Sequence, residues 1–538
     1  MRFSTYGIIL PLIGKDDQPV QGKALLVNGL YGAMDVVDEA TASCLRGGDL
    51  SGLSLSMRER LALRGHITRR SEEEELADAQ LLGRVYGKTI GRASIGPTFL
   101  PTYDCNFRCP YCFEKHRLSH GKEWLGCGMS PEMVEAAFAG LKKLQEKGYR
   151  LDGCGLFGGE PLLKENKATV RQICEHAREM GLPLSAITNG YDLDAFIDLL
   201  EEFDFRQLQI TVDGVGEIND RRRLHRDGLP TYERIMDNIR LALDHGINVS
   251  LRVNVNKENI GGIPALMEDL AKRGLKELSW EERERAIAEK AKKNGEKPDE
   301  VKTDGKKHGK GAFNYYFKAV SEAPDSPNRV TEQEIMDTIL ETGMAPMDAI
   351  LHQSQYSLFL DPLRTAMAKE NYPDFHTNFC GAEGGSLVIG PDGLLYTCQD
   401  VVAMEEEAVG YTDVASGSFV YGFNKAKWRL RTSDRMEACR KCPYIFLCRG
   451  GCAAEAKLEH GSYFRENCHE FRETFAFTAS RVAGRQWEKT GEEELSVSLL
   501  GPLSRLTDGE RKQLMASKSG NEIVEILKKA GFLQTRQA

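Results

Sequence analysis

No apolar run in this chain is long enough to cross a bilayer, which takes about 20 consecutive apolar residues, and a membrane-spanning helix is therefore excluded. The N-terminal run at residues 6–14 is apolar, but it contains Pro11, leads into Lys15, Asp16 and Asp17, and lacks a small-residue cleavage site. It reads as a strand, not as a secretory signal, so a cytoplasmic protein with no membrane partner is expected. Basic residues are not in excess. With 71 Lys and Arg against 80 Asp and Glu, the net charge is −9, which argues against a nucleic-acid partner, local basic patches aside. A scarcity of apolar residues is the one deficit the chain does not have: 41% are apolar and 28% charged over 538 residues. That composition and length belong to a globular protein of about three or four domains.

What is present in quantity is cysteine, at 14 residues. In a long cytoplasmic chain, clustered cysteines point to metal and not to disulfides. Cys44, Cys127, Cys154 and Cys174 are isolated and read as packing residues. The other ten fall into two groups. The first is CNFRCPYC, with Cys105, Cys109 and Cys112 spaced C-x3-C-x2-C. Three thiolates can hold three irons of a four-iron, four-sulfur cube, leaving the fourth iron open to a small molecule. Buried packing cysteines would not explain their position in a loop with Asn106, Arg108 and Pro110.

The second group runs C-x12-G-x4-C from Cys380 through Gly393 to Cys398, then C-x2-C-x5-C-x3-C through Cys439, Cys442, Cys448 and Cys452, and ends at Cys468. Seven thiols fill most of two further cubes, each of which takes four ligands. A zinc ribbon accounts for paired C-x2-C units but not for seven thiols in one stretch.

The elements around these groups alternate. Residues 94–102, 153–157, 184–188, 207–212, 249–255 and 311–320 read as strands with helices between them. Ser130 and Pro131 open a helix that stops at Gly148. Alternating strand and helix implies a parallel sheet with right-handed crossovers. Residues 1–95 read as a leading α+β unit, with strands at 6–12 and 23–28 and helices at 35–45, 56–64 and 72–86. Residues 276–310 interrupt the pattern: 20 of the 35 are charged, so the stretch is expected to be an exposed insertion. Residues 470–490 and 510–529 read as amphipathic helices capping the cysteine-rich region.

The cysteine loop, with aromatic Tyr111 before its third cysteine, resembles the signature of the radical S-adenosylmethionine (SAM) superfamily. Gly158, Gly159, Glu160 and Pro161, placed after a strand, match that family's GGEP segment. Two glycines permit close approach of backbone to a ligand, and the Glu160 carboxylate can accept from an ammonium group. The resemblance implies a partial (βα)6 barrel over 96–330 that binds SAM at the open iron. One electron cleaves SAM to a 5′-deoxyadenosyl radical, which abstracts a hydrogen atom. In such barrels the chemistry gathers at the carboxyl ends of the strands. Asn189, Asp213 and Arg252, at or near those ends, are the further candidates for SAM contact, with Asn254 beside Arg252.

The second cysteine group is similar to the SPASM auxiliary-cluster domain, here 375–480. By that resemblance Cys439, Cys442, Cys448 and Cys468 hold one [4Fe-4S] cluster and Cys380, Cys398 and Cys452 the other, for three clusters in all. The second set lacks a fourth thiol. Asp374 or His376 could complete it, or its open iron could bind a substrate thiolate. Asp400 stands two positions after Cys398, where formylglycine-forming relatives carry a basic aspartate directly after the cysteine. The leading unit is similar in size and element order to the winged-helix elements that grip leader peptides in peptide-modifying relatives; a plain capping domain fits it equally. Residues 331–374 read as a helical connection and 481–538 as a helical extension. The expected protein is a peptide maturase, with a precursor peptide as substrate and an iron–sulfur or flavin electron donor. A formylglycine-forming oxidase, a small-molecule dehydrogenase and a non-catalytic electron carrier are the alternatives.

Overall fold

The computed structural model describes residues 1–89, 94–294, 311–367, 377–468, 470–496, 506–517 and 520–529. Asp374, His376 and part of the charged insertion, 295–310, lie outside them. The chain divides into two compact units. One comprises Met1–Arg92, Gln355–Phe379 and Arg431–Ala538, the other Ala93–Ser354 and Cys380–Leu430. The cysteine-rich stretch thus contributes to both.

In the first unit, strands β1 (Gly7–Ile13), β2 (Pro19–Asn28) and β3 (Met34–Asp38) form an antiparallel sheet in that order. Residues 35–38 were expected to begin a helix, yet 34–38 are extended. They form a strand because Val36 and Val37 are β-branched, and because Lys23–Val27 of β2 pairs with the whole segment. The helix starts only at Glu39, where Asp38 caps it by accepting from the Thr41 amide at 2.6 Å. Ala24, Leu26, Val37, Ala42, Leu45, Leu61 and Ile67 share one core.

The long helix Phe471–Thr490 packs on β1. Gly484 makes this approach possible, since a Cβ there would lie 1.8 Å from the Ile13 carbonyl oxygen. Beyond the helix, the Val36 amide donates to Glu493 O at 2.7 Å and the Leu495 amide to Met34 O at 3.1 Å, so this segment covers the outer edge of β3. The helix also meets Tyr444, whose ring lies edge-on to Phe471 and Phe475 at 6.0 and 5.8 Å.

The second unit is built on one eleven-stranded sheet. Six strands run parallel and each pairs with the next: β4 (Ser94–Phe99), β5 (Cys154–Leu156), β6 (Leu184–Thr188), β7 (Phe205–Thr211), β8 (Val249–Val255) and β9 (Phe313–Ala319). These are the six strands expected from the sequence, within a few residues at their ends. Val249–Val255 is buried at all but one position, as expected of a parallel strand covered on both faces. The crossover helix Pro131–Glu146 begins at Ser130, whose hydroxyl accepts from the Met133 amide at 3.2 Å. Its buried stripe of Val134, Ala137, Phe138, Leu141 and Leu144 faces the sheet, and Phe138 stacks on Phe99 of β4 at 4.8 Å. Each large apolar side chain so buried stabilises the layer by about 1.5–3 kcal/mol.

On its other edge β4 pairs in parallel with β10 (Ser386–Ile389). An antiparallel meander follows through β11 (Leu394–Tyr396), β12 (Gly410–Asp413) and β13 (Ser418–Tyr421). No helix among the described residues is long and apolar enough to cross a membrane.

Candidate functional site

The carboxyl ends of the parallel strands in the second unit carry every SAM-contact candidate. The loop after β4 holds Cys105, Cys109 and Cys112. The turn after β5 holds Gly158 to Pro161. Asn189 follows β6, Asp213 follows β7, and Arg252 and Asn254 lie on β8. Parallel strands in register present their ends together, which is why positions far apart in sequence meet here.

The turn after β5 is shaped by its glycines. Gly158 and Gly159 have φ of +82° and +50°, the left-handed region that side chains disfavour. A Cβ on Gly159 would lie 2.1 Å from Asp104 O, so this backbone closes on the cysteine loop itself. The Glu160 amide donates to the same Asp104 oxygen at 2.8 Å. Glu160 is buried, and its carboxylate accepts from the Asn189 amide at 2.6 Å, the Leu162 amide at 2.9 Å and the Thr188 hydroxyl at 2.5 Å. Burial raises its pKa to about 7, against the pull of these donors. Glu160 therefore ties the β5 turn to the end of β6, and Pro161 follows within that turn. The Asn189 side chain extends the tie, donating from Nδ2 to Asn106 Oδ1 at 2.6 Å and lying 3.9 Å from Cys105 Sγ.

Tyr111 is fixed by its phenol. The hydroxyl donates to Asp213 Oδ2 and accepts from Arg223 Nη1 at 3.2 Å and Asn254 Nδ2 at 3.4 Å. The Arg222 guanidinium lies over its ring at 4.8 Å. Asp213 also accepts the Asn254 amide at 3.0 Å. Arg252 Nε donates to Asn254 Oδ1 at 2.8 Å, so the two residues share a face as their spacing in a strand requires.

Burial pushes the Cys105 thiol up to about 12 and the Cys112 thiol up to about 11, and raises Cys109 as well. Left alone, such thiols stay protonated and do not bind metal. Two buried cations oppose this: Arg117 acts on all three, Arg223 on Cys109. Among the described residues Nε of each has no hydrogen-bond partner, nor has Oε1 of buried Glu114, whose Oε2 accepts from Arg117 at 2.8 Å. Buried cations with unmet donors beside three thiols suit an anionic group at that place. A cluster held by three thiolates is such a group. Among the described residues no three His, Cys, Asp or Glu side chains group as ligands of one ion; a cube takes its thiolates at separated corners.

Cys380 and Cys398 flank β10 and β11. The Thr397 hydroxyl donates to Ala382 O, which ties the residue before Cys398 to the residue two past Cys380. The Cys398 thiol donates to Asp400 Oδ2 at 3.5 Å, so Asp400 reaches its cysteine despite the one-residue offset.

In the first unit the structure brings Cys439, Cys442, Cys448 and Cys468 together. Burial raises the Cys439 thiol, and Cys448, Cys442 and Cys468 add to the effect. Burial takes Cys448 to about 12, with Cys442 and Cys468 again contributing. Arg472 Nη2 approaches Cys442 Sγ at 3.8 Å. Arg431, buried, donates from Nε to Tyr463 O at 2.6 Å and from Nη2 to Gly450 O at 3.2 Å and Arg465 O at 3.1 Å, binding the loops that carry Cys448 and Cys468. Gly451 has φ of +70°, and a Cβ there would lie 1.9 Å from Asn467 O. Cys452 opens the helix Ala453–His460 in the same unit.

Sequence reasoning missed Glu114, Arg117, Arg223 and Arg431. The three-residue spacing of Glu114 and Arg117, directly after Cys112, was a legible ion-pair signal. Arg223 sits in a run of three arginines that reads as a solvated face, and nothing in sequence marks Arg431.

Residues 99–270 match the model of the Radical SAM superfamily. The chain is 26% identical over 286 residues to the Fe-coproporphyrin III synthase of Methanosarcina barkeri, covering 47% of this chain and 67% of that protein. It is 22% identical over 393 residues to the cysteine-type anaerobic sulfatase-maturating enzyme of Clostridium novyi, covering 70% and 93% respectively. Among solved structures, native anSMEcpe with bound AdoMet is similar in fold, with a TM-score of 0.51 at 17% identity over 74% of this chain and 100% of that one.

Proposed function

From the radical SAM domain that this chain carries, we propose that it is a maturase acting on a ribosomally made precursor peptide, removing a hydrogen atom from a peptide carbon and closing a cysteine thioether. The supporting observation is a three-thiol loop flanked by buried arginines whose Nε donors lack partners among the described residues, together with a second, four-thiol group in the same chain. Cys105, Cys109 and Cys112 would hold the SAM-binding cluster. Cys439, Cys442, Cys448 and Cys468 would hold one auxiliary cluster, and Cys380 and Cys398 would contribute to another. When bound, the clusters and SAM supply a hydrogen-abstracting radical and accept the electron left over.

The protein's own residues orient and enclose. Glu160 and Asn189 fix the loops around the cysteines, Tyr111 and Asp213 tie the cysteine loop to the end of β7, and Arg252 and Asn254 lie on the next strand. The modification breaks one C–H and one S–H bond, forms one C–S bond, and removes two hydrogens per site.

The sulfatase-maturating relative favours a second reading, in which Asp400 serves as base while a substrate side chain is oxidised to formylglycine. Mass spectrometry separates the two. After anaerobic co-expression with a cysteine-containing peptide encoded beside this gene, loss of two hydrogens with blocked cysteine alkylation is expected. A product with free cysteines and a hydrazine-reactive aldehyde would replace the thioether reading with the formylglycine one. Unchanged peptide with no 5′-deoxyadenosine would overturn both.

A further inference from the structure

The segment after β7 braces the cysteine loop. The Arg108 amide donates to Leu224 O, and the Arg226 amide to Asn106 O, each at 2.7 Å, so that Phe107 and His225 form an antiparallel bridge. Arg226 Nη1 adds an ion pair to Asp104 Oδ2 at 2.9 Å. At the root of this brace, Arg223 is turned inward. It is only 9% exposed. Its guanidinium lies over the Phe107 ring at 5.3 Å, and Nη1 donates to the Tyr111 hydroxyl at 3.2 Å. Nε has no partner.

The neighbouring charges do not cancel it. Asp213 is 3.6 Å from Arg222 Nε, and Glu258 pairs with Arg222 at 2.9 Å, so Arg222 takes two anions, while among the described residues Arg223 makes no ion pair. Arg223 is thus a surplus cation held at low exposure beside Cys109. Charges so placed act through a lower dielectric than water and are weakly screened by salt.

We propose that Arg223 is a positioning residue that raises the reduction potential of the cluster held by Cys105, Cys109 and Cys112. This rests on the reading that those cysteines hold an iron–sulfur cluster. The physical reason is that reduction adds one negative charge to the site. A fixed cation nearby stabilises the reduced form more than the oxidised form. Asp213, an anion in the same layer, acts in the opposite sense.

The test is an anaerobic redox titration of the full-length, reconstituted protein, followed by electron paramagnetic resonance with and without SAM. The signal that changes on adding SAM identifies the relevant cluster. In Arg223→Gln, the equilibrium constant for reduction should fall about tenfold, which is a midpoint about 59 mV lower for a one-electron couple. Arg223→Lys, which keeps the charge, should stay near the parent value. Asp213→Asn should shift the midpoint upward. If Arg223→Gln does not fold, the upward shift in Asp213→Asn and the unchanged midpoint of Arg223→Lys remain as the measurement. A midpoint equal to the parent in Arg223→Gln, or in Asp213→Asn where the glutamine variant is not obtained, would overturn the inference while leaving the cluster assignment standing. A SAM-responsive signal that survives in Cys109→Ala, or is missing from the parent protein, would instead overturn the assignment on which the inference rests.

Discussion

Asp35 shows how much can hang on one side chain. It is buried on β3, where Arg64 Nε donates to it at 2.9 Å and His66 Nε2 meets it at 2.6 Å. Burial alone would raise its pKa, but the His66 hydrogen bond and the charges of His66 and Arg64 outweigh that and hold it below the usual carboxylate range. Asp35→Asn keeps the shape and removes the charge, leaving Arg64 buried without its nearest anion. The expected loss is about 3 kcal/mol at neutral pH, as for other buried pairs broken on one side. A carboxylate depressed in the folded state contributes its stability above the unfolded pKa of about 3.9 and loses it as pH falls through the folded value. Denaturant unfolding should therefore show a constant gap between parent and variant near neutrality that narrows below about pH 4. A gap that widens in acid would contradict the assignment. Sequence placed Asp35 inside a helix, because its polar side chain and the apolar residues after it fit that period. Only its pairing with β2 made it a strand residue facing Arg64.

At the scale of elements, the parallel strands were legible because both of their faces are covered. Long β-branched and apolar stretches such as 249–255 and 184–188 have no other reading between amphipathic helices. The helix Phe471–Thr490 was legible as a helix over the cysteine-rich region, but its seat on β1 was not. Glycine inside a helix costs about 1 kcal/mol relative to alanine, so Gly484 needs a packing reason. It is the place where β1 comes closest. Gly484→Ala would improve helix propensity, yet its Cβ would lie 1.8 Å from the Ile13 oxygen, a backbone atom that cannot swing aside. Overpacking of that kind costs 1–3 kcal/mol, so a net destabilisation of about 2 kcal/mol is expected in thermal unfolding. Stabilisation by the substitution would mean that the helix does not seat on β1.

At the scale of the whole molecule, each compact unit is assembled from segments far apart in the chain. The leading α+β sheet shares a unit with residues from the far end, through Phe471–Thr490 on β1 and the 493–495 segment along β3. A fragment of residues 1–92 should therefore lack a stable tertiary structure by near-ultraviolet circular dichroism and be cut rapidly by protease, since one face of its sheet and one strand edge lose their cover. A cooperative unfolding transition in that fragment would show that it stands alone.

The sequence by itself determined where the candidate chemistry lies. The spacings of Cys105, Cys109 and Cys112 and of the seven later cysteines, the Gly158 to Pro161 turn and the six strands are all local patterns, and local patterns survive in one dimension. What only the tertiary structure decided is which charges surround those thiols and which distant segments complete each unit. Arg223 and Arg431 act through burial and through partners tens or hundreds of positions away, and Arg117 through burial beside thiols and a carboxylate of its own loop. Burial, unlike spacing, is a property that a residue acquires only when the rest of the chain closes over it.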